Sequence, residues 1–456
     1  MDINLFASPF RYYSRILWSG GRVGFSTELK QICCSILLIS DLPIMRNRLL
    51  LIIILWIAGN HSYAQKNTLD FYLQEAIRNS PLLKDYQSQI ESNGIDSERI
   101  RAQYKPQVTG SSINSLAPVI HGYGYDPAVT NGGQLSGIVN VNQALVSRSN
   151  LSAQYKNLQL QNEGIANNSR ITEQDLKRTI TNQYLTAFGT LQELGLAKEI
   201  HDLLKKEVDI LKTLTEKNVY RQTDYLTLLV TVQQQDLSLR QLDIQFHNDY
   251  ATLNYLAGIV DTAAVNLDEP SFTISSPPGI DHSVFFQKYT IDSLILVQNR
   301  ELINYNYKPK VNIYANGGYL SSFAYQGYKN FGASVGLDLT VPIYDGKQKK
   351  MQYRKLDISE RSRNNYKSFY ASQYYQQISL LRQQLQQTES LIGDINNQIK
   401  YSDGLIQVNT RLLETGDAKI ADLIIALNNY LTAKNLLTQN KVSRLQIINQ
   451  INYWNR

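Results

Sequence analysis

The sequence predicts a mixed α/β membrane protein. Long coiled-coil helical hairpins are joined to a β-barrel that needs trimerisation to close, with four strands per chain and an internal two-fold repeat. Three observations predict it: one set of features occurs twice in the same order, two stretches alternate with period two over the length of a membrane strand, and two long tracts contain no proline.

The repeat comes first, because it organises the rest. Tyr104-Lys105-Pro106-Gln107-Val108 recurs as Tyr307-Lys308-Pro309-Lys310-Val311. Asn218, Asp224 and Asn254-Tyr255 recur as Gly416, Asp422 and Asn452-Tyr453, all at one common offset. Residues 65–257 therefore read as a first structural repeat and 291–456 as a second. Segment 258–290, with Pro270, Pro277, Pro278 and Gly279, joins them as a linker.

Each repeat opens with a helical stretch, such as Leu69 to Tyr104, that Pro106 or Pro309 ends, since proline disfavours helix at the residue before it. Strands follow. Val311, Ile313, Ala315 and Tyr319 alternate with Lys310, Asn312, Tyr314 and Asn316. Phe331 to Ile343 alternates in the same way, with Gly332, Ser334, Gly336, Asp338 and Thr340 as the other set. About a dozen residues of such alternation fit a tilted membrane strand. In the first repeat Leu135, Val139 and Val141 alternate with Ser136, Asn140 and Asn142, and the strand that starts at Val108 carries a weaker pattern.

Tracts 128–269 and 343–456 are proline-free and rich in good helix formers. Ser147 to Lys217 and Gly346 to Thr415 each read as one helix of about 70 residues, about 105 Å long. Asp224–Leu256 and Asp422–Trp454 read as returning helices of about half that length. Tyr225, Val232, Leu239, Phe246 and Leu253 recur every seven residues, with Leu228, Leu242 and Leu256 as companions and Gln235 and Asp249 as interruptions. This is coiled-coil spacing with polar insertions, expected of helices that face water on one side and partners on the other.

Two β-hairpins supply four strands, and a membrane barrel needs about eight or more. The chain therefore requires an oligomer, and three copies supply twelve strands.

The N-terminus carries an export signal. Arg46 and Arg48 precede the apolar run Leu49–Ala58, and Ser62-Tyr63-Ala64 is a small-x-small cleavage triplet. Residues 1–44 read as a spurious or dispensable extension and 45–64 as a signal peptide, with Gln65 beginning the mature chain.

Composition excludes several functions. The net charge of +6 is spread along the chain, so nucleic acid is not an expected partner. Cys33 and Cys34 are the two cysteines, and the five histidines (His61, His121, His201, His247 and His282) lack ligand spacing. No metal site, cofactor or catalytic set is expected, and the chain does not read as an enzyme. The 30 tyrosines suit interfacial girdles or helix packing. Lys347, Lys349 and Lys350 read either as a solvated helix start or as a lipid contact.

Taken together, the duplicated Tyr-Lys-Pro junctions, Val341-Pro342-Ile343-Tyr344-Asp345-Gly346, the Gly416…Asp422-Leu423 turn and Asn452-Tyr453 resemble the TolC-like outer-membrane efflux protein family over nearly the whole mature chain. The resemblance implies a homotrimer in the cell outer membrane that extends into the periplasm, with a twelve-stranded barrel, a twelve-helix tunnel and an equatorial belt. It implies an exit duct of a tripartite efflux or type I secretion system. The implied partners are outer-membrane lipid, a periplasmic adaptor protein and an inner-membrane pump of RND or ABC type. A structural coiled-coil envelope protein or adhesin is the alternative, although it has no need of the amphipathic hairpins.

The resemblance also implies a periplasmic gate. Asp422 matches the acidic gate position, with Thr223, Asp224 and Lys419 nearby. Asn218, Tyr220, Arg221, Gly416 and Asp417 form the helix-turn tips that serve gating and adaptor docking. Ile425 stands where some relatives place a second aspartate, and Leu413 and Ala418 replace a locking tyrosine and arginine. Asp224 and Asp422 also suit plain helix starts, where a carboxylate caps the helix. Asn218 and Gly416 suit left-handed helix ends.

Overall fold

The computed structural model describes residues 68–126, 132–261, 263, 265–271, 273–276, 279, 282–322, 327–417 and 419–456. The proposed signal and cleavage point, Pro277, Pro278 and Ala418 lie outside the described residues.

Helices α1 (Leu69–Asn79) and α2 (Pro81–Gln103) open the first half. The sequence predicts one helical stretch here, and the structure divides it at Ser80. Ser80 ends α1 and also caps α2, its hydroxyl accepting from the N–H of Leu83, while Pro81 starts the new helix without an amide to lose. Strands β1 (Gln107–Ser111), β2 (Asn114–Leu116) and β3 (Gly133–Leu145) follow, then α3 (Arg148–Glu216) and α4 (Gln222–Ala257). The second half runs α5 (Val284–Asn306), β4 (Lys310–Ser322), β5 (Phe331–Thr340), α6 (Gln348–Thr415) and α7 (Ile420–Trp454). Among the described residues, no helix is long and apolar enough to cross a membrane.

The helices α3 and α6 contain 69 and 68 residues, so each reaches roughly 100 Å. Their partners α4 and α7 contain 36 and 35. The heptad positions of α4 turn inward: Leu228 and Leu253 are wholly buried, and Phe246 nearly so. The polar insertions Gln235 and Asp249 face the neighbouring helix α3. The Gln235 amide is buried and donates to the carbonyl of Ala197 at 3.2 Å, and Asp249 accepts from the Thr190 hydroxyl at 2.7 Å. Burying these groups is tolerable because each finds a partner on α3.

Among the described residues the helices bury four apolar clusters, two of which bear on the turns and the middle of the molecule. Toward the turns, Leu204, Leu211, Leu228, Leu413 and Leu423 pack together. Nearer the middle, Tyr72, Ile180, Tyr184, Leu253 and Leu267 form the second. Gly189 lets α3 approach α7, because a Cβ there would stand 2.9 Å from a methyl of Val442. The linker is strapped to this middle zone. The Tyr184 hydroxyl donates to the Asp268 carbonyl at 2.7 Å, and Asn452 joins Ser275 and Thr273. The N–H of Val284 donates to the carbonyl of Arg456, so the start of α5 is held by the end of the chain.

The sheet is antiparallel, in the order β1-β3-β4-β5, with β2 also on β3. β1 and β2 form one interrupted strand, so four strands result, and β3–β4 pairing unites the two halves. The register puts Val141 opposite Val108 and Ala315, Leu145 opposite Val311, and Ile313 opposite Leu337. These apolar residues therefore share one face. Asn140, Asn142, Asn312, Asn316, Ser334 and Asp338 share the other.

Candidate functional site

Two features could carry function: the sheet and the paired helical turns at the far end of the molecule. The sheet leaves its apolar face open. Val335, Leu337 and Leu339 are 79%, 72% and 62% exposed, which a water-soluble sheet does not tolerate across a contiguous face. Among the described residues, the outer edges of β1 and β5 have no partner strand. On the polar face Tyr314 lies against Gly336, whose missing side chain makes room for the ring. At the loop end Tyr319 and Phe331 pack edge to face at 5.2 Å on the apolar side, a place for an aromatic girdle.

The first turn links α3 to α4. Asn218 adopts a left-handed backbone with φ 60°, and the Val219 N–H returns to the carbonyl of Leu214 at 2.9 Å. Asp224 reaches back and accepts from the N–H of Arg221 at 3.2 Å, so it caps the start of α4. Thr223 is exposed and contributes its main-chain carbonyl to the Thr227 hydroxyl.

The second turn links α6 to α7. Gly416 has φ 84°, and the N–H of Asp417 donates to the carbonyl of Leu412 at 2.9 Å. Asp417, Lys419 and Asp422 are exposed. Asp422 stands in the first turn of α7, and among the described residues its carboxylate has no side-chain or cap partner. The two equivalent aspartates thus differ: Asp224 is engaged in a cap and Asp422 is not.

The turns touch each other. The Tyr220 hydroxyl donates to the carbonyl of Leu413 at 3.4 Å. A Cβ on Gly416 would meet the Val219 side chain at 2.8 Å, so glycine is needed there for close approach as well as for its backbone. Leu413 is wholly buried in the core beneath the turns, whereas Ile425 is 57% exposed.

Sequence reasoning missed Glu207. It is 3% exposed on α3 within the core beneath the turns, and its Oε2 has no hydrogen-bond partner among the described residues. Burial, and then the nearby Glu414 carboxylate, hold its pKa above the ordinary glutamate value. The signal was available: Glu207 lies between Leu204 and Leu211 at helical spacing, on the face that packs. Among the described residues, no group of His, Cys, Asp or Glu gathers as a metal site.

No protein-family model matches the sequence, and no curated protein matches it. Solved structures do match. The outer membrane protein VceC of Vibrio cholerae superposes with a TM-score of 0.67 at 13% identity, covering 85% of this chain and 96% of that one. The CmeC outer membrane channel of Campylobacter jejuni gives 0.66 at 11%, with 85% of each chain covered. The open-state MtrE outer membrane channel of Neisseria gonorrhoeae gives 0.66 at 10%, covering 85% and 88%. This chain has the TolC-like fold. In that fold the four-stranded sheet is one chain's share of a barrel, which accounts for its open edges and apolar face.

Proposed function

We propose that this protein is a passive exit duct of the outer membrane, with three copies closing one channel. The observation that carries this reading is the four-stranded sheet, apolar on one face and polar on the other, with both edges free and helices of roughly 100 Å leaving its base. Three copies supply twelve strands, which is within the range of membrane barrels. The apolar face then meets lipid and the Asn-rich face lines water. The helices continue the duct into the periplasm.

Transport through such a duct needs no bond chemistry. It needs a polar bore and a periplasmic end that opens and closes. The paired turns serve as that gate, with Asp422 facing the axis and Thr223, Asp224 and Lys419 around it. Asn218, Tyr220, Arg221, Gly416 and Asp417 form the surface that a periplasmic adaptor meets. Energy comes from an inner-membrane pump of RND or ABC type, coupled through that adaptor in a tripartite efflux or type I secretion assembly.

Planar-bilayer recording of the purified protein tests the duct. Discrete conductance steps are expected, larger when the turns are loosened. A folded protein that enters bilayers and never conducts contradicts the reading and favours a structural role in the envelope.

A further inference from the structure

The charges around the sheet are distributed unequally. Between Pro106 and Ser147 the sole charged side chain is Asp126, and between Lys310 and Thr340 there are Lys310, Lys329 and Asp338. The loop end of the sheet therefore carries Asp126 and Lys329, which cancel. The opposite end is different. There α2 ends, α3 begins, α5 ends and α6 begins, and each junction brings cations: Lys105, Arg148, Lys308, Lys347, Lys349 and Lys350. All are exposed except Lys349, which is half-buried. Asp345 is the one acid at these junctions, and its carboxylate accepts from the N–H groups of Lys347 and Lys349 at 2.8 and 2.7 Å.

We propose that this end of the sheet is a docking collar for anionic phospholipid headgroups, such as phosphatidylglycerol, in the periplasmic leaflet of the outer membrane. The proposal rests on the outer-membrane reading and names the lipid that reading leaves open. Three arrangements support it. Just beyond the end of β5, Val341, Ile343 and Tyr344 are 48%, 95% and 83% exposed and precede Lys347 in the chain, so exposed apolar residues and cations adjoin. Aromatic rings accompany the cations: the Lys308 ammonium lies 4.1 Å from the Tyr305 ring centre and Lys349 lies 5.4 Å from that of Tyr307. The Lys349 ammonium also donates to Asn304 Oδ1 at 3.1 Å, which holds it at the boundary. Apolar surface beside aromatic rings and cations is the combination that a bilayer interface meets between acyl chain and phosphate. Lys310 stands on the polar face of the sheet and is not part of the collar. The neutral loop end offers no equivalent field, which favours phospholipid over the anionic lipid A of the outer leaflet.

Native mass spectrometry of the detergent-purified full chain, titrated separately with phosphatidylglycerol, phosphatidylethanolamine and lipid A, tests the collar. The wild-type protein retains phosphatidylglycerol most strongly, and added ammonium acetate weakens that retention. In the combined variant Lys308→Gln, Lys347→Gln, Lys349→Gln, Lys350→Gln the retention falls about tenfold or more, while Lys329→Gln leaves it unchanged. Equal retention of phosphatidylglycerol and phosphatidylethanolamine by the wild type overturns the proposal, as does a fourfold variant that retains phosphatidylglycerol normally. Loss of lipid A binding alone in that variant overturns it too. The wild-type salt series needs no variant to fold. Bilayer conductance of the same preparations separates the two claims: a conducting wild type without lipid preference refutes the collar and leaves the duct intact.

Discussion

The hydroxyl of Tyr220 donates to the main-chain carbonyl of Leu413 at 3.4 Å, and this bond ties the turn of the first helical hairpin to the end of α6. If the paired turns are the resting gate, this tie is one of the contacts that hold it shut. Tyr220→Phe removes it and keeps the ring packed. Stability should fall by about 1 kcal/mol or less, while the resting conductance in planar bilayers rises. An unchanged conductance means that the tie is only structural.

Asp224 and Asp422 occupy equivalent turns, and among the described residues only Asp224 is engaged in a cap. Asp224→Asn weakens a cap on the Arg221 N–H, so it should cost about 1 kcal/mol in thermal unfolding and leave ion selectivity nearly unchanged. Asp422→Asn removes an exposed, unengaged carboxylate. Three such groups near an axis attract cations, so cation selectivity should fall toward unity with little change in stability. Reversal potentials under a salt gradient, measured for both variants, distinguish them. If Asp422→Asn lowers stability and leaves selectivity alone, the gate lies elsewhere.

Glu207 makes stability depend on pH. Its folded pKa is raised, first by burial and then by Glu414, from an ordinary value of 4.5. The folded state therefore binds the proton more tightly than the unfolded chain. Below the ordinary value both states are protonated and there is no penalty. As pH rises through the window from 4.5 up to the raised value, the unfolded chain gains relative stability, and the penalty is complete above that window. Glu207→Gln should raise the melting temperature at about pH 7 to 8 and leave it unchanged near pH 4. A parallel shift at every pH contradicts this.

The two faces of the sheet should respond differently to charge. Leu337→Lys places an ammonium on the lipid-facing side and should cost about 2–4 kcal/mol near the bilayer midplane. Ser334→Lys, on the polar face, should assemble normally and alter conductance. Urea titration of the protein folded into vesicles reads the first effect, and bilayer recording reads the second.

Much of the fold was legible in the sequence because its periodicities are strong. β5 alternates without error, so its face assignment followed directly. The long helices lack internal proline and end at residues suited to left-handed turns, Asn218 and Gly416. The less legible parts have local causes. The first strand breaks at Ser112–Ile113, where the N–H of Ile113 donates to the Ser136 hydroxyl at 2.9 Å, and no period-two pattern records a side chain standing in for a backbone partner. Ser80 caps one helix and ends another, which a proline signal alone does not reveal. At the turns, Asn218, Gly416 and the two aspartates could be placed, but the Tyr220–Leu413 and Val219–Gly416 contacts join residues far apart in the chain, beyond the reach of local pattern. Gln235 and Asp249 read as polar interruptions of a heptad, but their partners on α3 were not legible, because a long interface can satisfy a polar group wherever a carbonyl or hydroxyl lies opposite.

One chain's four strands are too few to close a barrel, and the proposed duct depends on three copies supplying twelve. Native mass spectrometry of the mature protein released from outer membranes into mild detergent tests it most directly. One dominant species of three chains, which conducts when added to a planar bilayer, is the expected result. A folded monomer as the dominant species, or a stable dimer without conductance, contradicts it.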